Sequence, residues 1–481
     1  MRSLLAFVLA CGLFFGLTSF QVNSPDLPPP NKPNVIFILA DDLGYGDLGF
    51  LGQKHINTPF LDLLASKGMI FTNHYAGAPV CAPSRSALLT GLHTGHTPVR
   101  GNYEIQPEGQ YPLPDTLPTL GKLFQKAGYR TGAFGKWGLG FIGTSGDPTN
   151  QGFDEFFGYN CQRYAHRYYP AYLWENEKQV PLKGNDWTNK FQYAPDLIHE
   201  KSLQFITENK DQPFFLFLPL VLPHAELAVP DDQIYRYYRD KFGEEKPFIA
   251  PAGGDYGSQL NVPGYQSQPY PRATFAAMVT RIDRYVGDIF HRLAALDLLE
   301  NTLIVFTSDN GAHREGGADP EFFDSNGSFR GYKRDLYEGG IHVPLLAYWP
   351  SKIPAGSHST HVSAFWDWLP TLTELIGQSN PPGLDGVSFL PTLLGTGTQK
   401  QADYLYWEFH ESGGRQAILQ GEWKLVKYQV KQPNQTTVEL YHLSEDPSEQ
   451  KNIAAEYPER VIALERLMQT AHRPNPVFRL F

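Results

Sequence analysis

Asn34-Val35-Ile36-Phe37-Ile38-Leu39-Ala40-Asp41-Asp42-Leu43-Gly44-Tyr45-Gly46 decides the fold. Seven uncharged, mostly apolar residues in a row suit a strand buried on both faces, as in a parallel sheet. The run then breaks into two carboxylates and a Gly-x-Gly loop. In open α/β sheets, ligands bind beyond the carboxyl ends of strands. The break therefore marks a candidate site as well as a strand end.

The pattern recurs downstream. Apolar runs at 130–134, 213–222, 302–307 and 343–349 read as further strands. Helices are expected at 58–67, 116–126 and 273–296. The first has Thr58 as its cap, Pro59 in its first turn and Gly68 as its stop. Strands alternating with helices predict an α/β fold with a doubly wound, mixed but mostly parallel sheet. The character changes after about residue 395. Residues 415–428 alternate and turn at Gly421, 437–443 read as a strand, and 454–469 as a helix. The expected organisation is a main domain over 34–395 and a small antiparallel α+β subdomain over 396–481.

Upstream, Met1-Arg2 leads into an apolar run from Leu4 to Phe20. A positive start with an apolar centre has the form of a secretory signal, expected over 1–21. The run is shorter than the roughly 20 residues a spanning helix needs, so no transmembrane span is expected. Val8-Leu9-Ala10-Cys11 loosely resembles a lipoprotein cleavage box, although the apolar run continues past it. Residues 22–33 form a Pro-rich linker. The expected location is exported, either periplasmic or extracellular, with lipid anchoring at Cys11 as the lesser reading.

The formal net charge of −10 argues against a nucleic-acid partner, which would call for a basic face. An anionic substrate would need a local positive pocket inside this acidic chain. Without the signal, two cysteines remain, Cys81 and Cys161, too few for a disulfide scaffold. Cys161 reads as a small buried hydrophobe.

Asp41-Asp42 alone would suit a turn or a helix cap. Ser308-Asp309-Asn310-Gly311 follows the 302–307 strand in the same way. Two strand ends would then deliver Asp41, Asp42, Asp309 and Asn310, all oxygen ligands. Such ligands suit calcium or, less well, magnesium, and calcium tolerates irregular sites built from separated loops.

Cys81-Ala82-Pro83-Ser84-Arg85, followed by Leu89-Thr90-Gly91, resembles the modification motif of the formylglycine-dependent (type I) sulfatases. The order of motifs matches as well. Asp41-Asp42 is followed by Cys81-x-Pro-Ser-Arg, Gly135-Lys136-Trp137, Pro223-His224, Asp309-Asn310-Gly311, Arg330-Gly-x-Lys333 and Glu338-Gly-Gly. The resemblance spans Asn34 to about Glu456 and is nearest to arylsulfatase-like bacterial carbohydrate sulfatases. It implies the alkaline-phosphatase-like fold and oxidation of Cys81 to formylglycine by a formylglycine-generating or anaerobic sulfatase-maturating enzyme. A thiol is a poor ligand for a hard cation, whereas the oxygen of a hydrated aldehyde can join it and attack sulfur. The second hydroxyl of the hydrate gives an exit that a plain serine nucleophile lacks. The implied metal set is Asp41, Asp42, residue 81, Asp309 and Asn310. Arg85, one helical turn after Cys81, is implied to steady the modified residue.

Lys136, His224 and Lys333 each follow a strand or a glycine turn on the predicted active edge. Singly, such residues are usually solvated or structural. The resemblance implies sulfate binding and protonation of the leaving alcohol. One departure stands out. The family usually reads Gly-Lys-Trp-His, and this chain has Gly138 where that histidine is common. Gln162 and His166 are candidates to replace it, each also readable as structural or substrate-facing. Gly138→His would restore a base if the pocket has room.

The expected substrate is a sulfated saccharide or an aryl sulfate, leaning to galactose or N-acetylgalactosamine esters. Specificity is expected in loops around 154–170, 226–270 and 312–330. A phosphonate or phosphodiester hydrolase of the same fold, or an inactive sulfate-ester-binding protein, are the alternatives.

Overall fold

The computed structural model describes residues 32–106, 108–186, 189–251 and 264–481. The expected signal, Cys11, all but the end of the linker, and the middle of the 226–270 loop lie outside the described residues. Pro33–Phe481 forms one compact unit.

The strands of the main sheet are β1 (Asn34–Ala40), β2 (Met69–Phe71), β3 (Arg130–Lys136), β4 (Glu155–Tyr159), β5 (Tyr172–Glu175), β6 (Lys178–Pro181), β7 (Phe214–Pro219), β8 (Thr302–Ser308), β9 (Leu345–Tyr348) and β10 (Ser357–Ser359). Their order across the sheet is β10-β2-β9-β8-β1-β7-β3-β4-β5-β6. The five central strands β8, β1, β7, β3 and β4 run parallel. Antiparallel pairing enters at the flanks, through β9 against β8 and β2 and through β5 against β4 and β6, while the edge strand β10 lies parallel to β2.

β1 is buried throughout, and its period-2 geometry divides its side chains between two cores. Ile36 and Ile38 join a core built with α1 (Pro59–Lys67) and two long helices, α3 (Ala194–Glu208) and α4 (Pro271–Ala295). Val35, Phe37 and Leu39 face the other core, with Leu88 and Leu89 of α2 (Cys81–Thr90) and with Trp368.

The C-terminal part is a four-stranded antiparallel sheet, β11 (Leu405–Phe409), β12 (Arg415–Gln420), β13 (Trp423–Tyr428) and β14 (Thr437–His442). One face packs on α5 (Pro458–Ala471) through Leu464 and Met468. The other meets Trp366 and Ile341 of the main part. Lys424, fully buried, joins this contact with Nζ 2.7 Å from Glu338 and 2.9 Å from Glu449.

Element boundaries depart from expectation for local reasons. The helix expected from 116 starts at Leu120, and the C-terminal helix expected from 454 starts at Pro458. Thr119 stands at the N-cap of the first, and Pro458 opens the second, where it suits the first turn and disfavours helical backbone in the residue before it. The run at 343–349 narrows to β9 and lies antiparallel.

Candidate functional site

The sheet delivers its polar residues to one edge. Asp41 and Asp42 follow β1, Asp309 and Asn310 follow β8, Lys136 is the last residue of β3, and His224 lies in the loop after β7. Cys81 opens α2, so Arg85 stands one turn further on the same face. All of these side chains are buried.

Cys81 Sγ donates to Asp41 Oδ1 at 3.2 Å. The other Asp41 oxygen meets Lys136 Nζ at 2.6 Å and Arg85 Nη2 at 3.2 Å. Asp42 Oδ2 meets Lys333 Nζ at 2.7 Å and His224 Nε2 at 3.3 Å. Asn310 Nδ2 donates to Asp42 Oδ1 at 2.7 Å, and the Asp42 amide donates to Asp309 Oδ1 at 3.1 Å. Asp42 sits at φ 64°, a left-handed turn that aspartate tolerates better than most residues. Lys333 Nζ also lies 2.8 Å from His224 Nε2.

This crowding moves protons. Burial raises the carboxyl of Asp41, but Lys136, His224 and Arg85 outweigh it and hold it below the usual range. Burial likewise opposes ionisation of Asp42, and Lys333 overcomes it. Asp309 goes the other way, pushed up to about 7 by burial and by Asp41 against the pull of Arg85. Burial and then Lys333 keep His224 neutral, far below its usual value. Burial and the Asp41 carboxylate push the Cys81 thiol well up. A thiol held neutral in this way is a poor nucleophile.

Asp41, Asp42, Cys81 and His224 bring one ligand atom each to within 4.8 Å of one another. Asn310 Oδ1 is buried and accepts no hydrogen bond. An acceptor without a donor beside three carboxylates fits a cation better than it fits the protein alone.

The family model described as Sulfatase matches residues 33–378, most of the chain. The chain belongs to the sulfatase family. A second model, N-sulphoglucosamine sulphohydrolase C-terminal, matches residues 327–472. Among relatives, the N-acetylgalactosamine-6-sulfatase of Homo sapiens is 31% identical over 390 residues, covering 76% of this chain and 66% of that protein. The chain thus spans about two thirds of that relative's length. The N-acetylgalactosamine-6-O-sulfatase of Bacteroides thetaiotaomicron is 28% identical over 91% of this chain and 93% of that one. The solved structure of Ps i-CgsB in complex with k-i-k-neocarrahexaose has a TM-score of 0.75 at 27% identity, covering 94% of this chain and 95% of that chain. These matches carry the alkaline-phosphatase-like fold expected for a sulfatase.

This sulfatase-family site also holds residues that the sequence reading passed over. Glu315 reaches Lys333 Nζ at 3.6 Å and Arg334 Nη1 at 2.6 Å. Asp42, His313 and Glu315 form a second cluster of ligand-type atoms. Their position just after Asp309-Asn310-Gly311 was the available signal. The room on which a histidine at 138 depends is taken up by Gln162. A Cβ on Gly138 would lie 2.8 Å from both Cγ and Nε2 of Gln162, and φ there is +75°. His166 stacks on His224 with ring centroids 4.1 Å apart.

Proposed function

We propose that this protein hydrolyses sulfate esters of glycans, with residue 81 as formylglycine and a calcium ion, or less well magnesium, held by Asp41, Asp42, Asp309, Asn310 and the oxygen of residue 81. The observation that carries the reading is Cys81 at the start of α2, 3.2 Å from Asp41, in the Cys-x-Pro-Ser-Arg motif. The hydrated aldehyde would supply the attacking oxygen, and a cation held by these residues would acidify and position it.

The chain's own groups supply the rest. Lys136 and Lys333 bring positive charge to the place where the sulfate anion must sit. Arg85 holds Asp41 and Asp309 in register. Lys333 Nζ carries a proton toward neutral His224 Nε2, and the pair can protonate the departing alkoxide.

The substrate in this reading is a galactose or N-acetylgalactosamine ester; the names of the relatives support N-acetylgalactosamine, and the k-i-k-neocarrahexaose complex of Ps i-CgsB supports a saccharide. Export to the periplasm or beyond belongs to the same reading, as does maturation by a formylglycine-generating or anaerobic sulfatase-maturating enzyme. So does the division into a catalytic part, 34–395, and a subdomain, 396–481. Among the described residues no helix is long and apolar enough to cross a membrane.

Paired assays on an aryl sulfate and an aryl phosphate, followed by defined sulfated saccharides, test the proposal. Turnover of the sulfate with little of the phosphate is expected. A preference for the phosphate would indicate a phosphodiesterase-type enzyme. No turnover of either ester by protein carrying the aldehyde would indicate an inactive binding protein.

A further inference from the structure

Gly138 and Gln162 compete for one volume. A side chain at 138 would start 2.8 Å from the Gln162 amide. Gln162 is 3% exposed, and its Nε2 has no hydrogen-bond partner. A buried amide N–H left unpaired costs about 1–3 kcal/mol, so such a group calls for a ligand. Asn160, which accepts the Gly138 amide through its carbonyl, is also buried with both side-chain polar atoms unpartnered. Two orphaned amides therefore flank the backbone that follows Lys136.

The placement ties Gln162 to the site. Gln162 opens the short helix after β4 and His166 caps its end, the His166 amide donating to the Gln162 carbonyl at 3.2 Å. His166 packs flat on His224, whose Nε2 meets Lys333 and Asp42. Lys136, two residues before Gly138, reaches Asp41.

We propose that the Gln162 amide donates to an oxygen of the bound sulfate group from the volume that a side chain at 138 would fill, and that Gly138 is glycine to leave that volume free. The inference rests on the sulfatase reading for the identity of the anion. Its chemical consequence is specific. An amide can hold the anion and cannot take up a proton, so the base for sulfate release is not in this place.

The test uses the full chain, with the aldehyde content of residue 81 and the melting temperature measured for every variant. Calorimetry with inorganic sulfate and steady-state kinetics on an aryl sulfate are compared for wild type, Gln162→Glu, Gln162→Ala, Gly138→His and Gly138→His/Gln162→Ala. Loss of a hydrogen bond to an anion predicts sulfate binding weakened on the order of 10- to 100-fold in Gln162→Ala, and at least as much in Gln162→Glu, whose charge also repels the anion, with KM raised in parallel. Gly138→His should lose activity, because the imidazole displaces Gln162. Adding Gln162→Ala should then recover about tenfold or more by relieving the clash. Wild-type sulfate affinity in a folded Gln162→Glu variant would overturn the proposal. So would a double variant no better than Gly138→His alone. If wild type turns over no sulfate ester yet binds sulfate through Gln162, the functional reading fails and the anion site stands. If wild type is active and Gln162→Glu binds and reacts normally, the site fails and the reading stands.

Discussion

Arg85 Nε and Nη2 both donate to Asp309 Oδ2, at 3.0 and 2.8 Å. The same guanidinium reaches Asp41 and the Lys136 carbonyl. One side chain thus ties the ends of β1, β3 and β8 together. A lysine ammonium has neither the planar fork nor the reach to replace it. Two or three charge-assisted hydrogen bonds are at stake, each worth about 1.5–3 kcal/mol. Arg85→Lys should therefore lower kcat/KM on an aryl sulfate by roughly 10²–10⁴. Steady-state kinetics on folded protein with normal aldehyde content checks this, and near-wild-type kinetics would count against the clamp.

The unpaired Asn310 Oδ1 is the clearest mark of a cation. Asn310→Leu keeps the volume and removes the oxygen. Metal analysis after dialysis against calcium should show occupancy reduced, with affinity down about tenfold or more, because calcium depends on the number of its oxygen ligands. Chelation should abolish wild-type activity, and calcium should restore it better than zinc. Full calcium content in Asn310→Leu would remove Asn310 from the ligand set.

Away from the site, His93 carries an acid sensitivity. It is 4% exposed, and its Nδ1 accepts the Gly95 amide at 3.1 Å. Burial, aided by His96 against the pull of Asp385, lowers its pKa from 6.5 to about 4. The unfolded chain therefore takes up a proton first as the pH drops. The stability this group provides is complete above about 6.5 and lost as the pH falls toward 4. The loss is on the order of 3 kcal/mol at one pKa unit per 1.36 kcal/mol. His93→Gln can still accept from Gly95 and does not titrate. Its melting temperature should fall less than that of wild type between pH 7 and pH 4. Parallel curves for the two proteins would show that His93 is not the group responsible.

Much of this architecture is legible in the chain. A run as apolar as 34–40 has one good home, between two layers, and the two cores on its faces follow from alternation alone. The carboxylates that end β1 and β8 meet because parallel neighbours present the same end. Strand direction is not legible in the same way. Residues 343–349 look like any buried strand, and an apolar run carries no arrow. Pro458 sets a helix start that periodicity blurs. Glu315 is a lone carboxylate in a loop, and only the fold puts it beside Lys333. Gln162 can be named from the sequence as a stand-in for the histidine missing at 138, but the contest of the two residues for one volume joins a turn and a helix start far apart in the chain, which no local pattern reports.

The central claim concerns the chemistry of residue 81, and the mass of tryptic peptide 68–85 tests it directly. Protein produced with a maturating enzyme should yield this peptide about 18 Da lighter than the thiol form, as the aldehyde nucleophile requires. The fraction converted should track the rate on an aryl sulfate from one preparation to another. A preparation at full activity in which residue 81 is still entirely cysteine would contradict the account.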